Sequence, residues 1–201
     1  MQALQVIISY LIMGIAIITT TTLFEFSKAL ISHLQGDATP KKEGRLTLNP
    51  LKHFEPVGFI IFLSTGYGWG KPVNTGTFGY KDRKLGTCLT YIIPTLLMAA
   101  VGVGVYHLYF SFELRLNSYV AVFLMQLGLM SIKLAVFNLL PAEPMAMGKI
   151  IKAFLNINNV LSYRQAEKII LLIICFGLFI GKLGPLLDVV VFAILGFFGV
   201  V

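Results

Sequence analysis

Residues 3–24 read ALQVIISYLIMGIAIITTTTLF and continue as Glu25-Phe26-Ser27-Lys28-Ala29. The first run carries no charged side chain and is long enough for one bilayer crossing, which takes about 20 apolar residues. Its end brings a carboxylate and an ammonium three residues apart, on one face of the same helix. An ionisable group at membrane depth costs several kcal/mol unless it is paired or wetted, so Glu25 and Lys28 mark a candidate site. The competing reading is an interface anchor, with Lys28 snorkelling to the headgroups.

Outward from that stretch, composition sets the class. Hydrophobic residues make up 57% of the chain and charged residues 12%, with a mean hydropathy of +0.83. This excludes an ordinary soluble domain and indicates a multi-pass membrane protein. The first run is expected to remain as a span, because it has no basic region before it and no small-residue cleavage pattern behind it. The net charge of +7 is spread over loops between apolar runs, which is a membrane-topology pattern and not a nucleic-acid footprint. Cys88 and Cys175 lie in or beside apolar runs without a second cysteine at ligand spacing, and are expected to be reduced, buried thiols.

The remaining apolar runs predict the bundle. Helix one covers Leu4 to about Leu34, and a polar segment follows to Pro56. Val57 to Trp69 is apolar, short and glycine-rich, so it reads as a re-entrant or interfacial segment with hairpin character. Thr87 to Phe110, interrupted by Pro94, and Ser118 to Leu140, carrying Lys133, are full spans joined by a brief loop with Glu113, Arg115 and Asn117. Pro141 to Lys168 is amphipathic and basic, and 169–201 holds two apolar stretches split by Gly181-Lys182-Leu183-Gly184. If Val57 to Trp69 does not cross, the basic loops at 36–56, 70–86 and 141–168 all fall on one side. The positive-inside rule then puts them in the cytoplasm and the N-terminus outside. The expected fold is an all-α polytopic integral membrane protein, one domain over 1–201. It is a bundle of about four to six membrane segments with a re-entrant or hairpin segment after the first helix.

Smaller features each have an expected role. Tyr67 and Trp69 read as aromatic-belt anchors, Glu143 as an exposed helix-end residue, and Lys149 and Lys152 as lysines that snorkel or meet anionic lipid. His33, His53 and His107 are not at ligand spacing from one another, and Asp37 fits a turn. His33 lies nine residues after position 24, about 180° around the helix.

Three blocks resemble the site-2 protease family, the intramembrane zinc metalloproteases, in its compact bacterial branch. They are Gly44-Arg45-Leu46-Thr47-Leu48-Asn49-Pro50-Leu51-Lys52-His53-Phe54-Glu55-Pro56-Val57-Gly58, Gly68-Trp69-Gly70-Lys71-Pro72-Val73 and Phe137-Asn138-Leu139-Leu140-Pro141-Ala142-Glu143-Pro144. The resemblance covers roughly residues 20 to 150. It implies a zinc held by two histidines four apart on a helix and a later aspartate, with the glutamate after the first histidine as base. Zinc lowers the pKa of bound water to about 7 and so supplies a nucleophile. On this chain the first histidine's position is Phe24, the second's Lys28, and the aspartate's Ala146, in Pro144-Met145-Ala146-Met147-Gly148. Only the base position, Glu25, is kept. Asn138 belongs to the block that introduces the third ligand, and the family's Gly-Pro-x-x-Asn element is degraded to Ile93-Pro94-Thr95-Leu96-Leu97.

The resemblance therefore implies a catalytically inactive relative without a cofactor, which binds or stabilises a transmembrane helix of another membrane protein in a bacterial-type plasma membrane. Lys28 is expected to fill the zinc volume and neutralise Glu25, with Lys133 as a rival or additional partner. The alternative leaves both lysines solvated in an inherited cleft. Two other functions stay open: an active zinc protease with atypical ligands, and a structural or transport subunit of a membrane complex.

Overall fold

The structure, a computed structural model, describes residues 2–112 and 118–199, and among them it is all-helical. The brief loop with Glu113, Arg115 and Asn117 lies outside the described residues. Helix α1 (Gln2–Leu34) is followed by two single-turn helices, α2 (Thr39–Lys42) and α3 (Pro50–His53), and by α4 (Pro56–Thr65). Then come α5 (Arg83–Phe112), α6 (Ser118–Phe137), α7 (Ala146–Phe154), α8 (Ile157–Phe179) and α9 (Leu183–Phe197).

Helices α1, α5 and α6 are long and apolar enough to cross a membrane. They form the core of the bundle, with α5 and α6 the most extensive pair and α1 lying against both. Ile17, Phe24, Met98, Met130 and Leu134 from these three helices, with Phe62 of α4, close one cluster. The lipid-facing sides of α1 and α5 carry exposed Leu11, Ile15, Leu96 and Leu97, as expected where hydrocarbon is the solvent. Gln35 at the end of α1 donates to Thr90 near the start of α5 at 2.8 Å, so those two ends lie together.

The glycine-rich segment is a hairpin with one helical arm and one extended arm. Pro56 fits the first turn of α4, where a missing N–H costs nothing. Gly66 ends the helix at φ 79°, a left-handed conformation suited to glycine. The chain then runs back along α4 so closely that a Cβ on Gly68 would sit 2.5 Å from the Gly58 carbonyl and 2.9 Å from Phe62 Cα. At ten residues α4 is too short to span.

The C-terminal region differs in part from expectation. Helix α8 begins at Ile157, so the basic segment 141–168 is not one loop: its second half is the first part of that helix. The apolar stretches α8 and α9 break at the expected Gly181 region and bend by 87°, giving up to four spans if the pair counts as one. Cys88 and Cys175 are free and only half-buried.

Candidate functional site

Glu25 and Lys28 lie in the last third of α1, where it is enclosed by its neighbours. Lys28 Nζ is 2.6 Å from Glu25 Oε1, and the two residues are 1% and 2% exposed. The other carboxylate oxygen, Oε2, accepts the Val73 backbone N–H at 2.9 Å. The solvated-cleft alternative does not hold for Lys28, which is buried and directly paired.

Two rings complete the surroundings of the ammonium. The Phe24 centroid is 4.4 Å from Lys28 Nζ and the Tyr91 centroid 5.8 Å away. Ring faces attract a cation, by about 2 kcal/mol or more where water is excluded. Tyr91 is fixed in turn by a 3.0 Å hydrogen bond between its hydroxyl and Thr75. Nothing in the sequence singles Tyr91 out, since it is one aromatic residue in an apolar span.

The returning arm of the hairpin forms the roof. Val73 bonds Glu25, and the Lys71 N–H donates to the His53 carbonyl at 2.8 Å. A Cβ on Gly70 would stand 3.0 Å from Thr21 Cβ and 3.4 Å from Glu25 Cγ, so this arm rests directly on α1. His53 is buried, and its Nε2–H donates to the Thr47 carbonyl at 2.8 Å. Arg45 reaches over to the Lys71 carbonyl at 2.5 Å. Burial pushes the His53 imidazole below its ordinary range, and the nearby Arg45 charge adds to that. The buried ring is thus a structural strut beneath the roof.

Asn138 and Ala146 meet on the other side of Tyr91. Helix α7 begins with N–H groups that its own backbone cannot satisfy. Asn138 Oδ1 accepts the Ala146 N–H at 3.0 Å and its carbonyl accepts the Met147 N–H at 3.0 Å. With Tyr91 and Thr95 they line a small cavity of about 70 Å³. Asn138 therefore joins the end of α6 to the start of α7.

Lys133 is a correction: it is not a partner of Glu25. Its Nζ is 2.9 Å from Asp188 Oδ1 on α9, and that oxygen also accepts the Tyr67 hydroxyl at 2.6 Å. The charge on α6 is neutralised from the C-terminal helix because Asp188 is the carboxylate that packing brings to it. Tyr67 and Trp69 are also not belt anchors. Tyr67 is fully buried, and Trp69 stacks on Phe137 at 6.3 Å.

Glu143 is not a free, exposed helix end but the partner of Lys149 and Lys152. Glu143 is half-buried and 2.6 Å from Lys149 and 2.5 Å from Lys152, which also reaches Glu167 at 2.8 Å. Burial alone raises the Glu143 carboxyl, but these two ammonium groups hold it below the usual carboxylate range. The lysines close an ion-pair cluster between α7 and α8 because Glu143 and Glu167 face them across the gap.

Asp37 accepts from Ser32 at 2.7 Å, from the Thr39 N–H at 2.9 Å and from the Gly76 N–H at 2.6 Å, which makes it a loop hub. His33 bonds the Asp37 carbonyl, and His107 is exposed near the other end of α5. Among the described residues no group of three His, Cys, Asp or Glu could hold a metal ion.

Fold and site together define a multi-pass helical membrane protein with a dry glutamate–lysine pair roofed by a hairpin. The chain is 34% identical over 142 residues to the "Putative zinc metalloprotease YwhC" of Bacillus subtilis (strain 168), a match covering 65% of this chain. It spans 63% of the length of that relative. No family model matches the chain, and no solved structure does.

Proposed function

We propose that this chain is a member of the site-2 protease family that has lost hydrolysis and retains binding. The observation that carries this reading is the Lys28–Glu25 pair at 2.6 Å, 1% and 2% exposed, at the place where the family's blocks put the metal and its base. A zinc site needs three or four N, O or S donors in tetrahedral array. Phe24 and Ala146 have no side-chain donor, and the Lys28 ammonium has no lone pair to offer. The donor set does not fit zinc, so no step of a zinc-dependent hydrolysis is assigned to these residues. Glu25 has both oxygens engaged, by Lys28 and by the Val73 N–H, and is not poised as a base.

The partner is a transmembrane helix of another membrane protein, held in the bilayer. The similarity to a relative named as a zinc metalloprotease supports descent from a protein-binding scaffold. By the positive-inside rule the basic loops face the cytoplasm of a bacterial-type plasma membrane.

The test uses the purified full chain and synthetic transmembrane helices with central Gly, Asn or Pro residues, photo-crosslinked in vesicles. Saturable cross-linking with every helix recovered intact is the expected result. Cleaved helix, or no saturable cross-linking to any of them, would overturn the reading.

A further inference from the structure

We propose that the cleft between the start of α5, helix α7 and the first turns of α8 binds the phosphate of an anionic phospholipid. Two adjoining hollows of about 210 and 400 Å³ share Arg83, Lys152, Ala153, Val160 and Arg164 as walls. The first is polar, lined by Thr75, Thr77 and Thr87 together with Lys149 and its partner Glu143. The second turns apolar, with Leu155 and Leu161, and Leu161 is 60% exposed. One cleft therefore offers a polar cationic end and an apolar end, the two chemistries of a phospholipid.

Charge in the cleft is not balanced. Glu143 and Glu167 are spent on Lys149 and Lys152. Among the described residues, Arg83 and Arg164 have no carboxylate at ion-pair distance; Arg83 lies only against the Phe78 ring, 5.7 Å away. Both guanidinium groups are exposed. Guanidinium forks match phosphate oxygens in pairs, better than an ammonium does.

Depth argues for a lipid over a soluble anion. Helix α5 has no charged residue from Leu85 to Tyr106, directly after Arg83 and Lys84. Helix α8 has none from Ile169 to Phe179, directly after Lys168. The arginines thus stand where two apolar stretches begin, the level of headgroups. Basic pockets between membrane helices at that level bind anionic headgroups, at about 1 kcal/mol per cation.

Native mass spectrometry of the full chain in mild detergent tests this, with phosphatidylglycerol and phosphatidylcholine of identical chains as probes. Phosphatidylglycerol should be retained in preference. The Arg83→Gln/Arg164→Gln variant should bind it roughly thirtyfold more weakly, and Arg164→Gln alone roughly fivefold. Among the described residues neither arginine is in an ion pair, so the melting temperature should stay at the wild-type value. Lys41→Gln/Lys42→Gln, on α2, should bind as wild type does. Equal retention of both lipids, unchanged binding in the arginine variants, or equal loss in the α2 variant would each overturn the proposal. So would displacement by glycerol phosphate at concentrations comparable to the lipid, which would make the site one for soluble phosphate.

Discussion

A charged pair in a membrane bundle is stabilised by its partner far more than it stabilises the fold. Removing one member of a buried pair strands the other and costs about 3–5 kcal/mol. Lys28→Met should therefore lower the melting temperature sharply at neutral pH, whereas Glu25→Leu/Lys28→Met should recover most of the loss, both read by thermal denaturation in detergent. The pairing was legible from the i, i+3 spacing. Its roof was not, because Val73 is far away in sequence and donates through backbone, which no side-chain pattern records. Asp188 was missed as the partner of Lys133 for a similar reason: only the packing of α9 on α6 brings them together. Phe24→His, Lys28→His and Ala146→Asp combined should create zinc binding, measured by elemental analysis of the folded variant; a folded triple variant without zinc would contradict the alignment of these positions. His53 adds a pH dependence. Its folded pKa lies below the unfolded value of about 6.5, so the unfolded state binds the proton more readily. The stability it contributes is complete above that value and is lost as pH falls through the folded pKa. Wild-type melting temperatures should drop on acidification below about 6.5, and His53→Gln should flatten that part of the profile.

The element that gives the site its shape is the hairpin of α4 and its returning arm. Glycines make its close approach feasible: a side chain on Gly68 would meet the Gly58 carbonyl and the Phe62 backbone. Gly68→Ala should cost about 1–3 kcal/mol by overpacking and loosen the Val73–Glu25 contact, read as lower stability and faster amide exchange at Val73. Shortness and glycine content were enough to expect a non-crossing hairpin. They could not show that one arm is extended, since apolar periodicity in so short a run does not separate the two. The roles of Tyr67 and Trp69 were misjudged for the same cause. An aromatic beside glycines reads as an interface anchor until the returning arm is seen to carry it against Phe137. Helix α8 starts well before its apolar stretch, because the charged residues of its first turns, which resemble a loop in sequence, are helical. Arg164 instead lines the cleft, and Glu167 reaches Lys152 on α7.

At the scale of the whole molecule, long apolar runs made the three spans of α1, α5 and α6 readable, and hydropathy alone sufficed for the fold class. The bend of 87° between α8 and α9 was visible only as a glycine-flanked break. The bundle buries a neutral ion pair where the family resemblance implies a metal centre, and it leaves an unbalanced cationic cleft at the edge of its spans. Both follow from where carboxylates are available: one pairs with Lys28, and among the described residues none is at ion-pair distance from Arg83 or Arg164. The central claim is that Lys28 has replaced the metal. The zinc-to-protein ratio of the wild-type chain, purified in mild detergent without chelator and measured by elemental mass spectrometry, tests it most directly. The account predicts a ratio far below one zinc per chain, unchanged by added chelator. Stoichiometric zinc, lost on chelation and restored by zinc alone, would contradict it.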